Sequence, residues 1–278
     1  MRSIVFVSLF IFTVACSGES PPAGAVADDS FRQWSLPDKL REISGLALTE
    51  DERLLAVADE LAIVYEIDYN DGHLVKAFAL GEKVVKGDFE GIAVLDGDVW
   101  LMTSDGNLYR SPEGENGTHV DYERFDTRLD DNCEFEGLTA VPSRQSLALV
   151  CKHSKKNKKK RVFEWRLVND EIHRVDDFAL PVKQMKKAVD RKQMNPSGLA
   201  VAPVTGNWLV LAAKQYAIFE LSHEGEFIDV IMRLDKERHR QAEGIAVTQD
   251  GRMIIADEAG KGRARLSVYS TITGNNKN

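Results

Sequence analysis

Five glycines set the frame of this 278-residue chain. They recur inside five similar segments. These are EISGLALTEDERLLAVADE from Glu42, DFEGIAVLDGDVWLMTSD from Asp88, EFEGLTAVPSRQSLALVCKH from Glu134, NPSGLAVAPVTGNWLVLAAKQ from Asn195 and QAEGIAVTQDGRMIIADE from Gln241. The shared residues Gly45, Gly91, Gly137, Gly198 and Gly244 stand 46, 46, 61 and 46 positions apart. A period near ~40–50 built from short apolar runs is the signature of β-propeller blades. Each repeat parses into four strands. In repeat two, Gly91–Leu95 is followed by the turn residues Asp96-Gly97-Asp98 and then by Val99–Met102. A third strand such as Ala62–Ile67 or Tyr216–Leu221 alternates apolar and polar residues, and a fourth such as Leu74–Leu80 leads into the next repeat.

The ends of the chain fit a closed ring. Repeat five stops after its third strand, near Arg265–Ser270, and lacks a fourth. The run Phe31–Pro37 ahead of repeat one is a spare strand. Pairing the two leaves no open sheet edge. The expected fold is therefore all-β: residues 31–278 form a five-bladed propeller closed by an N-terminal strand in the last blade.

Residues 1–15 read as a signal peptide, with one Arg ahead of the apolar run Ile4–Val14, too short to span a bilayer. Thr13-Val14-Ala15-Cys16 resembles a bacterial lipobox, which would make Cys16 a lipidated mature N-terminus; a plain secretory signal is the alternative. Residues 16–30, rich in Ser, Gly, Pro, Ala and Asp, read as a flexible tether. The expectation is a lipoprotein of the bacterial cell envelope facing the periplasm. No Asp follows Cys16 directly, and by resemblance to enterobacterial lipoproteins this favours the outer over the inner membrane. Outside the cytoplasm the remaining pair, Cys133 and Cys151, suggests a disulfide, although strand parity sets them imperfectly opposite each other. Lys and Arg number 36 against 44 Asp and Glu, a net charge of −8 that argues against a nucleic-acid partner.

The ordered set EISGLA, DFEGIA, CEFEGLT, NPSGLAV and QAEGIAV behind such a leader resembles the bacterial SdiA-regulated, or YjiK-like, family. The resemblance spans essentially the whole mature chain. It implies a five-bladed propeller similar to NHL-type propellers, with a calcium site. It implies no activity.

The residue immediately before each shared glycine and the residue two earlier, three before the glycine, carry the chemistry. They are Glu42 and Ser44, Asp88 and Glu90, Glu134 and Glu136, Asn195 and Ser197, Gln241 and Glu243. All ten offer oxygen, and alternation aims them together into the channel that first strands line. Crowded carboxylates demand either raised pKa values or a cation. An oxygen-only set suits Ca²⁺ rather than Zn²⁺. Glu90, Glu136 and Glu243, equivalent in three blades, are the leading ligands; Glu42, Asp88 and Asn195 follow. A solvated acidic channel mouth without a specific ion is the other reading.

Second-strand ends return to the same face. They read Asp59-Glu60, Ser104-Asp105, Lys152-His153, Lys214-Gln215 and Asp257-Glu258. Two basic stretches, Lys152–Arg161 and Pro181–Met194, belong to this face, and the second has the spacing of a short amphipathic helix. No nucleophile elbow, HExxH or phosphate-binding loop is present. The leading expectation is a calcium-binding recognition module for an envelope protein, peptide or glycan on the ring face. The alternative is a calcium-dependent hydrolase, lactonase- or esterase-like, with His153, Asp59 or Asp257 as its base.

Overall fold

The computed structural model describes residues 30–129, 133–154 and 159–270. The signal peptide, Cys16 and nearly all of the tether lie outside these residues. No helix among the described residues is long and apolar enough to cross a membrane.

Five antiparallel sheets follow one another around an axis. Blade one comprises Ile43–Leu48, Leu54–Ala58, Leu61–Ile67 and Leu74–Leu80, and blade two Phe89–Leu95, Asp98–Thr103, Asn107–Pro112 and Glu123–Asp126. Blade three is Cys133–Val141, Ser146–Ser154, Arg161–Val168 and Glu171–Ala179; blade four is Gly198–Val201, Trp208–Ala212, Ala217–Leu221 and Phe227–Arg233. Blade five takes Ala242–Val247, Met253–Asp257 and Arg265–Tyr269 from the end of the chain and Phe31–Ser35 from its beginning, with Phe31 opposite Tyr269 and Ser35 opposite Arg265. The closure expected from the sequence is thus present, two residues shorter than the run Phe31–Pro37. The inner strands of successive blades pack on each other, and that of blade five packs on blade one.

The sheets hold together through apolar wedges between neighbouring blades. Between blades one and two, for example, Val57, Val64 and Phe78 meet Phe89, Ile92 and Leu101. Trp100, Trp165 and Trp208 are buried in such wedges. The residues between the paired ring positions, Ile43, Phe89, Phe135, Pro196 and Ala242, are all buried. Leu95 and Asp98 are joined through Asp96 and Gly97, both at positive φ, a turn whose twist matches its strands.

Two features depart from the regular repeat. His119–Val120, in the connection crossing from blade two, adds a parallel fifth strand to blade one beside Ala79 and Leu80. Fifteen extra residues before blade four carry the helix Val182–Ala188, whose Met185 is buried between blades three and four while Lys183 and Lys187 face outward. Cys133 and Cys151 form a disulfide, with 5.6 Å between their Cα atoms. Two register shifts, between Glu134 and Phe135 and between Phe135 and Leu138, bring them together where plain alternation does not.

The shared glycines form the waist of the channel. A Cβ on Gly91 would lie 2.6 Å from Leu138 Cβ and 2.7 Å from Leu138 N, and one on Gly198 would lie 2.7 Å from the Glu243 carbonyl oxygen. Inner strands therefore approach as closely as backbone permits, and only glycine fits. Gly91→Ala is expected to cost about 3 kcal/mol through overpacking against main chain that cannot move aside. That lowers the melting temperature by roughly 6–12 °C. Gly262→Ala, where the nearest atom would be 3.5 Å away, is expected to change it little. Thermal unfolding of the two variants checks both.

Candidate functional site

At each shared glycine the inner strand carries a β-bulge. The register skips a residue between Ile43 and Gly45, Phe89 and Gly91, and Ala242 and Gly244. In blade four, Ser197 N and Gly198 both face Leu211. The extra residue is the one before the glycine, and a bulge re-aims its side chain. Simple alternation, which put all ten polar positions on one side, therefore fails here.

Nine of the ten positions split into three groups, and Asn195 stands apart. Ser44 and Ser197 are buried and donate to backbone of the next blade: Ser44 Oγ to the Phe89 carbonyl at 2.6 Å, Ser197 Oγ to the Ala242 carbonyl at 2.8 Å. They rivet blades and are not ring oxygens. Glu90, Glu136 and Glu243 are buried or half-buried and converge on the axis. Glu42, Asp88, Glu134 and Gln241 stand exposed around them. Asp88 Oδ2 accepts from Ser104 Oγ at 2.5 Å. Asn195 is half-buried; its N–H donates to Gln215 Oε1 at 3.1 Å, and its Oδ1 accepts from Lys160 Nζ at 3.4 Å.

Burial first, then Glu136, Asp88 and Glu243, push the Glu90 carboxyl up to about 9. Burial followed by Glu136 and Glu258 pushes Glu243 up to about 8. Glu136 is raised by burial too, with Lys152 opposing. A second tier surrounds them. Burial and the charges of Asp59 and Glu42 raise Glu258 to about 7; burial and the charges of Glu42, Glu60 and Asp88 raise Asp59 to about 6. The Gln241 side-chain amide donates to Glu258 Oε2 at 2.5 Å.

Among the described residues, Lys152 enters the acidic side of this ring. It contacts Glu136 directly and stands 3.5 Å from Glu134. Burial works against its charge, but Glu136, Glu134 and Glu243 outweigh that and raise its pKa. Lys160 reaches the Lys152 carbonyl, and burial lowers its pKa. Sequence reading placed Lys152 on a rim; the structure turns it to the centre. Its position at the end of the second strand, opposite an acidic first strand, was the available signal. Glu258 was likewise legible only as a rim residue.

The possible bases separate. Asp59 lies in the acidic tier and His153 is exposed, whereas Asp257 is buried and tied on both oxygens. Its Oδ2 pairs with His239 Nδ1 at 2.8 Å, its Oδ1 accepts from Gln241 N at 3.2 Å, and His239 Nε2 meets Tyr269 OH at 2.6 Å. This buried chain braces blade five and corrects the expectation that Asp257 is an accessible base.

The ring donors are all oxygen and carry surplus negative charge, so they fit a hard divalent cation. Among the described residues, the group of three whose ligand atoms lie within 4.8 Å of one another is Asp68, Asp71 and His73. There the Asp68 and Asp71 carboxylates accept from the backbone N–H groups of Asn70 and His73, which is ordinary turn chemistry.

A ring of five sheets, each built on four antiparallel strands, with its polar site on the axis defines a β-propeller. Within that class the chain belongs to the SdiA-regulated family, whose model matches residues 31–261. No curated protein sequence matches it. Among solved structures it is similar to the glutaminyl cyclase of Myxococcus xanthus, at 12% identity and a TM-score of 0.61 over 85% of this chain and 93% of that one. It is similar also to a luciferin-regenerating enzyme, at 10% identity and 0.53 over 84% and 92%. A third is the PQQ-bound aldose sugar dehydrogenase of Streptomyces coelicolor, at 13% and 0.50 over 90% and 99%. At these identities the likeness is one of fold.

Proposed function

We propose that the protein is a calcium-binding, membrane-anchored propeller of the cell envelope that recognises a partner on its ring face. One observation carries this reading. Glu90, Glu136 and Glu243 leave three different blades at bulges and face one axis, more than 4.8 Å apart as a trio but near enough for Glu136 to act on both Glu90 and Glu243, and burial and this repulsion disfavour their ionised forms. A buried site with surplus acid gains most from a cation that brings charge without a proton. These three carboxylates would hold Ca²⁺, with Glu42 and Asp88 as further oxygen ligands. Asn195 is the weakest of the six sequence-derived ligands, because Lys160 already occupies its oxygen. Lys152 is a competitor for the same charge.

Calorimetric titration of calcium into the purified protein tests this. Saturable uptake of about one ion per chain is expected. It is expected to vanish in the Glu90→Gln/Glu136→Gln/Glu243→Gln variant, and Lys152→Ala is expected to tighten it about tenfold, a change of about 1.4 kcal/mol. A folded wild-type protein that takes up no calcium would sink the proposal. The partner is an envelope protein, peptide or glycan facing the periplasm. Anchoring rests on Cys16: Cys16→Ala is expected to move the protein from the membrane fraction to the soluble fraction, and unchanged partitioning would refute the anchor.

A calcium-dependent lactonase- or esterase-like hydrolase is the second reading. It is favoured by Glu258 at about 7 and Asp59 at about 6, values suited to taking a proton near neutrality beside the ring. A bound ion would polarise a carbonyl there. Calcium-dependent turnover of a lactone or ester panel, lost in Glu258→Gln, would favour it over a pure binding module.

A further inference from the structure

The glycine waist divides the channel into two unlike ends. Before the glycines lie the carboxylates. Three positions after them lie Leu48, Val94, Ala140, Val201 and Val247, one from each blade, all apolar and all only half-buried. Together they line a cavity of about 700 Å³ at the opposite mouth. That volume lies within the range of small-molecule sites, which are mostly apolar with a few placed polar groups.

Each of these five side chains packs one side against a wedge between blades, whose buried part is filled by neighbours such as Ala47, Ala93 and Ala246, and leaves its other side open to the mouth. An equivalent aliphatic residue in every repeat, left in contact with water around one opening, is a pre-formed apolar wall.

The charge at this mouth has one sign. Glu50, Glu52 and Asp96 line it, and no Lys, Arg or His does so among the described residues. Glu52 Oε1 accepts from Gln249 N at 2.6 Å, so that side chain is spoken for. Glu50 and Asp96 are exposed, on adjacent blades one and two, and pair with no cation among the described residues.

We propose that this funnel is a second binding site, for a small hydrophobic molecule that carries an amine. Its apolar body would sit against the five-residue wall, and its ammonium would face Glu50 and Asp96. An anionic amphiphile would meet repulsion at the same mouth. The site needs no metal and stands independently of the calcium reading.

The neutral fluorophore N-phenyl-1-naphthylamine reports occupancy, displaced by either 4-phenylbutylamine or 4-phenylbutyrate. Saturable fluorescence enhancement is expected, with the amine displacing the dye at least about tenfold more effectively than the carboxylate. Val247→Asp is expected to abolish dye binding. Glu50→Gln/Asp96→Asn, on exposed side chains, is expected to keep dye binding and erase the preference for the amine. The Glu90→Gln/Glu136→Gln/Glu243→Gln variant is expected to bind the dye as the wild type does, so failure of the ring reading leaves this one intact. Absence of saturable dye binding overturns the proposal. Equal displacement by amine and carboxylate does so too, as does a preference for the amine that survives Glu50→Gln/Asp96→Asn.

Discussion

Deleting residues 30–36 is expected to leave a chain that does not fold cooperatively at room temperature. The segment supplies the whole fourth strand of blade five, in register with Arg265–Tyr269. Without it that strand becomes a bare edge on the blade that must close the ring. The losses extend beyond the ladder. Leu36, 2% exposed, packs into the wedge between blades five and one, and its N–H donates to the Ala264 carbonyl at 2.8 Å. Phe31 stacks with Tyr269 and lies under the Arg238 guanidinium, and Gln33 Nε2 donates to Ser267 Oγ at 2.9 Å. Burial of Leu36, Trp34 and Phe31 alone is worth on the order of 5 kcal/mol. Five lost ladder positions add to this, against a total stability of ~5–15 kcal/mol. Leu36→Ala is the graded version and is expected to cost about 3 kcal/mol. Circular dichroism melts of both forms give the answer. A deletion variant that unfolds at the wild-type temperature would show that closure is not what holds the ring.

The second large effect is a dependence of stability on pH that a divalent cation suppresses. Glu90 and Glu243 are held at about 9 and about 8, far above the 4.5 of an unperturbed carboxyl. The folded state therefore binds these protons more tightly than the unfolded one. Their contribution is complete below pH 4.5 and is lost as pH climbs through 8 and 9. In chelator, the melting temperature is expected to fall between pH 6 and pH 9 by on the order of 5–10 °C, a range reduced for solvent contact at the ring. Calcium bound as proposed would take the place of those protons, so its stabilising effect is expected to grow over the same interval. Glu90→Gln/Glu243→Gln removes the groups and is expected to flatten the slope in chelator while abolishing the calcium effect. A wild-type melting temperature that rises over this interval in chelator would contradict the ring electrostatics.

The fold was readable because its repeat is written in backbone requirements. The glycines at the waist are fixed by contacts of 2.6–3.0 Å that no side chain tolerates, so glycine recurs at the same point of every repeat. The two halves of blade five were also legible, since one repeat visibly lacks a strand and one strand lacks a repeat. The site was readable only in part. Alternation groups Glu90, Glu136 and Glu243 together, but it carries Ser44 and Ser197 with them. Bulges break alternation, and no single residue announces one. The central place of Lys152 depends on the same irregularity in blade three, where the register shifts twice. The burial of Asp257 depends on His239, a partner 18 residues away in a loop without periodicity. The apolar mouth is not legible in sequence, because an aliphatic residue three positions after a glycine looks like any strand interior. Only the axis shows that these five face an opening.

Calcium at the ring is most directly tested by crystals grown with terbium, a hard oxygen-seeking stand-in for calcium, and read by anomalous scattering. The ring account predicts a strong peak on the axis between the Glu90, Glu136 and Glu243 carboxylates, with Lys152 turned away from Glu136. A saturated crystal with no peak there, or with terbium confined to Asp68, Asp71 and His73, would contradict it.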